Sequence, residues 1–146
     1  MTNNVEKISW YFINIFIGLN LWLFSSASAD PALEKYFTAN AAYNRKLYSV
    51  ATTQFDNFLK AHGSHPKADL ALRGLGLSHY ALKQYNKAIP CFSRLISKNN
   101  LDKTINRERI IILQGQCLLQ SSQKSKAKDL FINEVQSLTN PIYKNS

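Results

Sequence analysis

Apolar positions along this chain recur at the period of an α-helix, and no stretch alternates apolar and polar residues as a strand would. Leu72, Leu75, Gly76 and His79 fall at i, i+3, i+4 and i+7, one stripe of a helix. Punctuation divides the pattern. Asp30 can cap a helix whose first position is Pro31. Gly63 stops a helix and Ser64-His65-Pro66 opens the next in the same way. Asn99, Asn100 and Asp102 make a further break, and Asn140-Pro141 ends the last helix. The spacing predicts six helices, over 31–45, 48–61, 66–82, 85–98, 103–121 and 124–138, and an all-α fold.

The first 29 residues carry a different pattern. Lys7 gives a weakly basic start, Ser9 to Phe24 is an apolar run without charge, and Ala27-Ser28-Ala29 is the small-x-small sequence that a signal peptidase reads. A spanning helix takes about 20 apolar residues, so this run is short for a permanent anchor. Residues 1–29 are expected to be a signal peptide cleaved after Ala29, and the protein to be exported, periplasmic or secreted. An uncleaved segment anchoring the chain in a membrane is the alternative. Residues 30–146 then form the folded domain, with no stable membrane span after processing. No cysteine precedes Cys91, so no lipid acceptor lies beside the cleavage site.

Within the domain the chain repeats. Ala51-x-x-x-Phe55, Ala88-x-x-x-Phe92 and Ala127-x-x-x-Phe131 recur at intervals of 37 and 39 residues. Tyr48 and Tyr85 stand three residues before the first two alanines, and Gly76 and Gly115 stand 12 residues before the second and third. Glycine inside a helix costs about 1 kcal/mol against alanine, so Gly76 needs a close neighbour to justify it. A partner helix supplies one, with Ala88 as the small residue opposite and Phe92 and Leu95 filling the groove. These residues resemble the tetratricopeptide repeat (TPR), an antiparallel helix pair of about 34 residues. The match is best over Leu72, Leu75, Gly76, Tyr80, Tyr85, Ala88, Phe92 and Leu95. The first unit has Thr38-Ala39 for the leucine-glycine pair, and the third has Lys124 for the tyrosine and Glu134 where an apolar residue is usual. The resemblance implies a helix-pair solenoid of about three units, 31–63, 64–100 and 101–139. Ala51, Phe55, Leu75, Gly76, Ala88, Phe92, Gly115, Ala127 and Phe131 are its packing residues.

Candidate chemistry changes this picture little. Gly74-Leu75-Gly76 lacks a third glycine and a preceding strand, and Gly76-Leu77-Ser78-His79 lacks the closing glycine of a hydrolase elbow. His62 and His65 lie in a turn and read as solvated; His79 lies on the buried stripe and reads as a satisfied core histidine. The carboxylates are scattered, with no paired acid and base. Cys91 and Cys117 show no metal-ligand spacing and are expected to be two buried free thiols. Neither an enzyme, a cofactor nor a metal site is expected. The formal net charge of +9 favours an acidic partner, and export argues against nucleic acid.

The resemblance further implies that the first helix of each unit lines a concave face that binds a partner protein or peptide segment. That face would comprise Tyr36, Asn40, Tyr43 and Asn44, then Arg73, Leu77 and Tyr80, then Arg109, Ile112, Gln116 and Leu119. The exported repeat is similar to TPR adaptors of bacterial envelope assembly, which implies a non-catalytic protein-protein scaffold. A structural homo-oligomerisation module is the alternative, followed by an accessory domain of an envelope enzyme. The last helix carries Ala127, Leu130, Phe131, Val135 and Leu138 with no capping helix expected after it, so a homo-oligomer through this helix is a second expectation. Lys124, Lys126 and Lys128 at its start would rim that interface and suit an acidic partner.

Overall fold

The computed structural model describes residues 30–139, with side chains as far as residue 136. The expected signal segment and the Asn140-Pro141 break lie outside the described residues. Among the described residues six helices form: α1 (Pro31–Asn44), α2 (Tyr48–Ala61), α3 (Ala68–Ala81), α4 (Tyr85–Ile96), α5 (Arg107–Gln120) and α6 (Lys124–Thr139). Among the described residues there is no strand. Each helix packs on the next, and α1 also touches α3.

Neighbouring helices run antiparallel, as their cross-links show. Asp69 at the start of α3 pairs with Lys98 just beyond the end of α4, and Arg107 at the start of α5 pairs with Glu134 late in α6. The helices thus form three hairpins, α1–α2, α3–α4 and α5–α6. Their turns are alike. Lys46, Lys83 and Ser122 each adopt the left-handed conformation, with φ of 61°, 58° and 61°. In each turn that residue's N–H donates three residues back, to the carbonyls of Tyr43, Tyr80 and Leu119. The next N–H donates five back, to Ala42, His79 and Leu118. This is the Schellman closure, which satisfies the last carbonyls of a helix and normally takes glycine at the left-handed position.

The interior of each hairpin follows the small-residue positions. A Cβ built on Gly76 would stand 2.7 Å from the ring of Phe92, and one on Gly115 would stand 2.2 Å from the ring of Phe131. The absent side chain is the space the phenylalanine occupies. Ala39, fully buried, holds the corresponding place in the first hairpin. Gly74 does the same between hairpins, since its Cβ would meet the Phe55 ring of α2 at 2.4 Å. Ala51, Phe55, Leu75, Ala88, Phe92 and Ala127 are buried, as their packing role requires. Phe131 differs. It sits on Gly115 yet keeps 38% of its surface exposed, because no further helix follows among the described residues.

Helix bounds differ from expectation where polar side chains intervene. The expected start at residue 103 moves to Arg107: Asp102 accepts from the backbone N–H and hydroxyl of Thr104 and holds a turn there, and Asn106 caps the helix by accepting from Arg109 N–H at 2.6 Å. Similarly, His65 Nδ1 accepts from Lys67 N–H at 3.0 Å, which keeps Pro66 in a turn before α3. Pro90 stands inside α4, where it is exposed and donates no helical hydrogen bond.

Candidate interaction face

The expected contact residues divide by burial. Tyr36 is a correction to the expected face: it is buried, its ring 6.4 Å from that of Phe55 and 6.0 Å from that of Phe58. Burial pushes its phenol above the ordinary value, opposed by the charge of Arg73. The cause is periodic. Ala32, Tyr36 and Ala39 fall at i, i+4 and i+7 and share the core side of α1. Asn40 and Tyr43 are half-buried and Asn44 is exposed; the Tyr43 ring lies 5.6 Å from that of Tyr48. No hydrogen bond among the described residues joins Asn40, Tyr43 or Asn44 to the rest of the expected face.

In the second hairpin Arg73, Leu77 and Tyr80 are half-buried, and Leu77 and Tyr80 also pack on the core. Tyr80 Oη donates to Gln116 Oε1 at 3.0 Å, which brings the second and third hairpins together at the members expected of the face. In the third hairpin Arg109, Ile112, Gln116 and Leu119 are all exposed. They form a row along α5, with Ile112 52% and Leu119 49% exposed. The opposite side of this helix is core, through Ile110, Ile111, Gln114, Cys117 and Leu118.

Polar side chains that no motif marked hold the hairpins in register. Gln114 Nε2 donates to Ser93 Oγ at 2.7 Å, and Gln123 Nε2 to Asn86 Oδ1 at 3.2 Å. Arg107 binds Glu134 through two nitrogens, at 2.8 and 3.2 Å, and reaches the Ile96 carbonyl at 3.3 Å. Glu134 stands where Phe58 and Leu95 are buried in the earlier hairpins, so a charged clasp closes the third hairpin where apolar packing closes the others. Spacing alone cannot find such pairs.

Two grooves lie elsewhere. One of about 480 Å³ runs between α1 and α2, lined by Pro31, Glu34, Lys35, Thr38, Gln54 and Asn57 beside Phe58, and Gln54 Oε1 is buried there without a hydrogen-bond partner. A smaller one of about 170 Å³ separates the first two hairpins and mixes Asp56 and Asp69 with Lys60, Arg94 and Lys98. Cys91 and Cys117 are free and buried, and burial pushes both thiols up to about 11. His62 and His65 are half-buried against the Phe58 ring rather than solvated, at 5.5 and 5.7 Å. His79 Nδ1 lies 2.8 Å from Gln84 Oε1. Among the described residues no group of three His, Cys, Asp or Glu side chains is placed to share a metal ion. No family model, curated protein or solved structure matches this chain significantly.

Proposed function

We propose that this chain is a non-catalytic adaptor of the tetratricopeptide-repeat type, which binds a segment of another protein along the first helices of its second and third hairpins. The observation that carries the reading is the row Arg109, Ile112, Gln116 and Leu119. Two large aliphatic side chains stand in water on a helix whose other side supplies the core. Such side chains add apolar area for a partner, while Arg109 and the Gln116 amide supply charge and backbone pairing. The Tyr80–Gln116 bond extends the row towards the second hairpin. Three hairpins with the same turn conformation, two of them with a phenylalanine ring seated on a glycine of the partner helix, support the repeat reading. Cleavage after Ala29 would deliver this adaptor to the cell envelope. Ile112→Glu with Leu119→Glu should leave helicity unchanged and remove at least one identified partner from material purified through a tag on the full chain. Recovery of the same partners by the variant would defeat the proposal.

A second reading has its own observation. Phe131, Ile132 and Val135 are exposed on α6, which favours self-association through the last helix. Sedimentation of the wild-type protein over a hundredfold concentration range separates the two. An adaptor stays monomeric, whereas a homo-oligomer gains mass and loses it again in Ile132→Glu/Val135→Glu.

A further inference from the structure

The charges of the domain are sorted between its two edges. Antiparallel hairpins place all three tight turns, at residues 45–47, 82–84 and 121–123, on one edge, and the connections between hairpins on the other. The Asn86–Gln123 bond ties the second and third turns directly together. Residues 35–55, 70–101 and 109–128, the segments running through these turns, contain no Asp or Glu. They do contain Arg45, Lys46, Lys83, Lys87, Lys124 and Lys126 at or beside the turns, all exposed. None of these six takes part in an ion pair among the described residues; Lys126 donates only to Gln123 Oε1. The opposite edge is balanced. Lys60 pairs with Asp56, Lys98 with Asp69 and Arg107 with Glu134.

Stability does not account for this sorting. Lysines on the first turn of α4 and α6 oppose the helix dipole, and cations brought to one edge repel each other. The cationic edge also carries Leu47, 51% exposed in the first turn between Lys46 and the Tyr43–Tyr48 ring pair, and exposed Val50 one turn on. We propose that this turn edge docks on the surface of a bilayer containing anionic phospholipid, its cations among the headgroups and Leu47 and Val50 at the acyl boundary. Two features favour a bilayer over nucleic acid. Five of the six cations are lysine, a point charge suited to a fluid array of headgroups rather than to bidentate phosphate recognition. The accompanying exposed side chains are aliphatic, while the nearby tyrosines are engaged with one another and offer no free stacking platform. Each basic residue near an anionic leaflet raises partition about fivefold.

The test uses the full chain and compares two variants of equal net charge. Arg45→Gln/Lys46→Gln/Lys83→Gln/Lys124→Gln strips the turn edge, and Lys35→Gln/Lys60→Gln/Lys67→Gln/Lys103→Gln strips the opposite one. Co-sedimentation is measured with neutral phosphatidylcholine vesicles and with vesicles that carry about a third phosphatidylglycerol. Subtracting the neutral result removes any partition due to the apolar run Ser9 to Phe24. The turn-edge variant should lose the anionic preference by roughly a hundredfold or more, and the opposite-edge variant should lose at most about fivefold. Raised salt should weaken the wild-type preference, because exposed charges are screened. Equal partition of the wild type into both vesicle types, equal losses in the two variants, or tighter binding to a single-stranded RNA oligomer at the same ionic strength would each overturn the proposal. These residues are not on the α5 row, so this failure and that of the adaptor reading are separable.

Discussion

The second and third hairpins share one local design and differ in what covers them. Phe92 and Phe131 each lie over a glycine 16 residues earlier, Gly76 and Gly115, at the same kind of forbidden Cβ distance. Phe92 is sealed, with 0% of its surface exposed, because α5 packs on α4. Phe131 keeps 38% exposed, with α6 packed mainly on α5 among the described residues. The local motif therefore fixes where the ring goes, and the neighbouring helix fixes how much that placement stabilises. Glu134 answers this difference. At the position of Leu95 the third hairpin uses a carboxylate clasped by Arg107, which tolerates water where an exposed leucine would gain nothing.

Truncating the two rings should separate the hairpins most. Phe92→Ala is expected to cost about 3–5 kcal/mol, the range for a sealed aromatic. Phe131→Ala should cost roughly half of that or less, since part of its surface is already in water. Urea unfolding midpoints of the two variants check this, and equal shifts would break the comparison. Adding a methyl at the glycines comes next. Gly76→Ala drives into a ring with nowhere to go and should destabilise by about 1–3 kcal/mol. In Gly115→Ala the Phe131 ring can swing outward, and the helix gains about 1 kcal/mol of propensity, so the net change should lie near zero. Thermal melts read both.

A smaller effect should be shared. Lys83→Gly and Ser122→Gly relieve the left-handed backbone of the two turns, and each should stabilise by about 1 kcal/mol, visible as a raised Tm. A stabilised second turn with a destabilised third would mean that the turns are not equivalent. The smallest difference concerns the thiols, because α5 is packed on both α4 and α6. Cys91 in the second hairpin and Cys117 in the third are both pushed from 9.0 to about 11 by burial. A folded pKa raised in this way gives stability that is fully present below pH 9 and lost as pH rises through 11. Iodoacetamide at pH 8 should therefore modify neither thiol in the folded protein and both in denaturant. Selective labelling of Cys117 in native protein would show that α5 opens as readily as α6.

Helix number and order were legible in the sequence because apolar period and punctuation agree over most of the chain. The repeated alanine and phenylalanine positions likewise marked buried sites in the first two hairpins. Turn conformation was not legible. The rule that assigns left-handed backbone to glycine points to Gly63, whereas Lys46, Lys83 and Ser122 adopt it and no glycine among the described residues does. A helix pair forced into a three-residue turn imposes that conformation whatever side chain is present. Tyr36 was misplaced for a different reason: the repeat resemblance assigned the first helix of the unit to a contact face, but this ring follows the alanine stripe into the core. The α5 row emerged from the expected face because its members are spaced at i, i+3, i+7 and i+10, which keeps them on one side of a helix. The clasp of Arg107 on Glu134 and the sorting of charge to one edge depend on which helix ends meet. Only the assembled hairpins display them.

Hydrogen exchange followed helix by helix in the full-length wild-type protein tests most directly whether the third hairpin is the uncovered copy of the second. Amides of α4 should exchange only through global unfolding, and their rates should fall in step with the stability measured in urea. Amides of α6 should exchange faster, through an opening that releases this helix alone and leaves α1 to α4 protected. If α6 in monomeric protein is protected as strongly as α4, the exposed Phe131 face is satisfied in solution and the comparison on which this account rests is wrong.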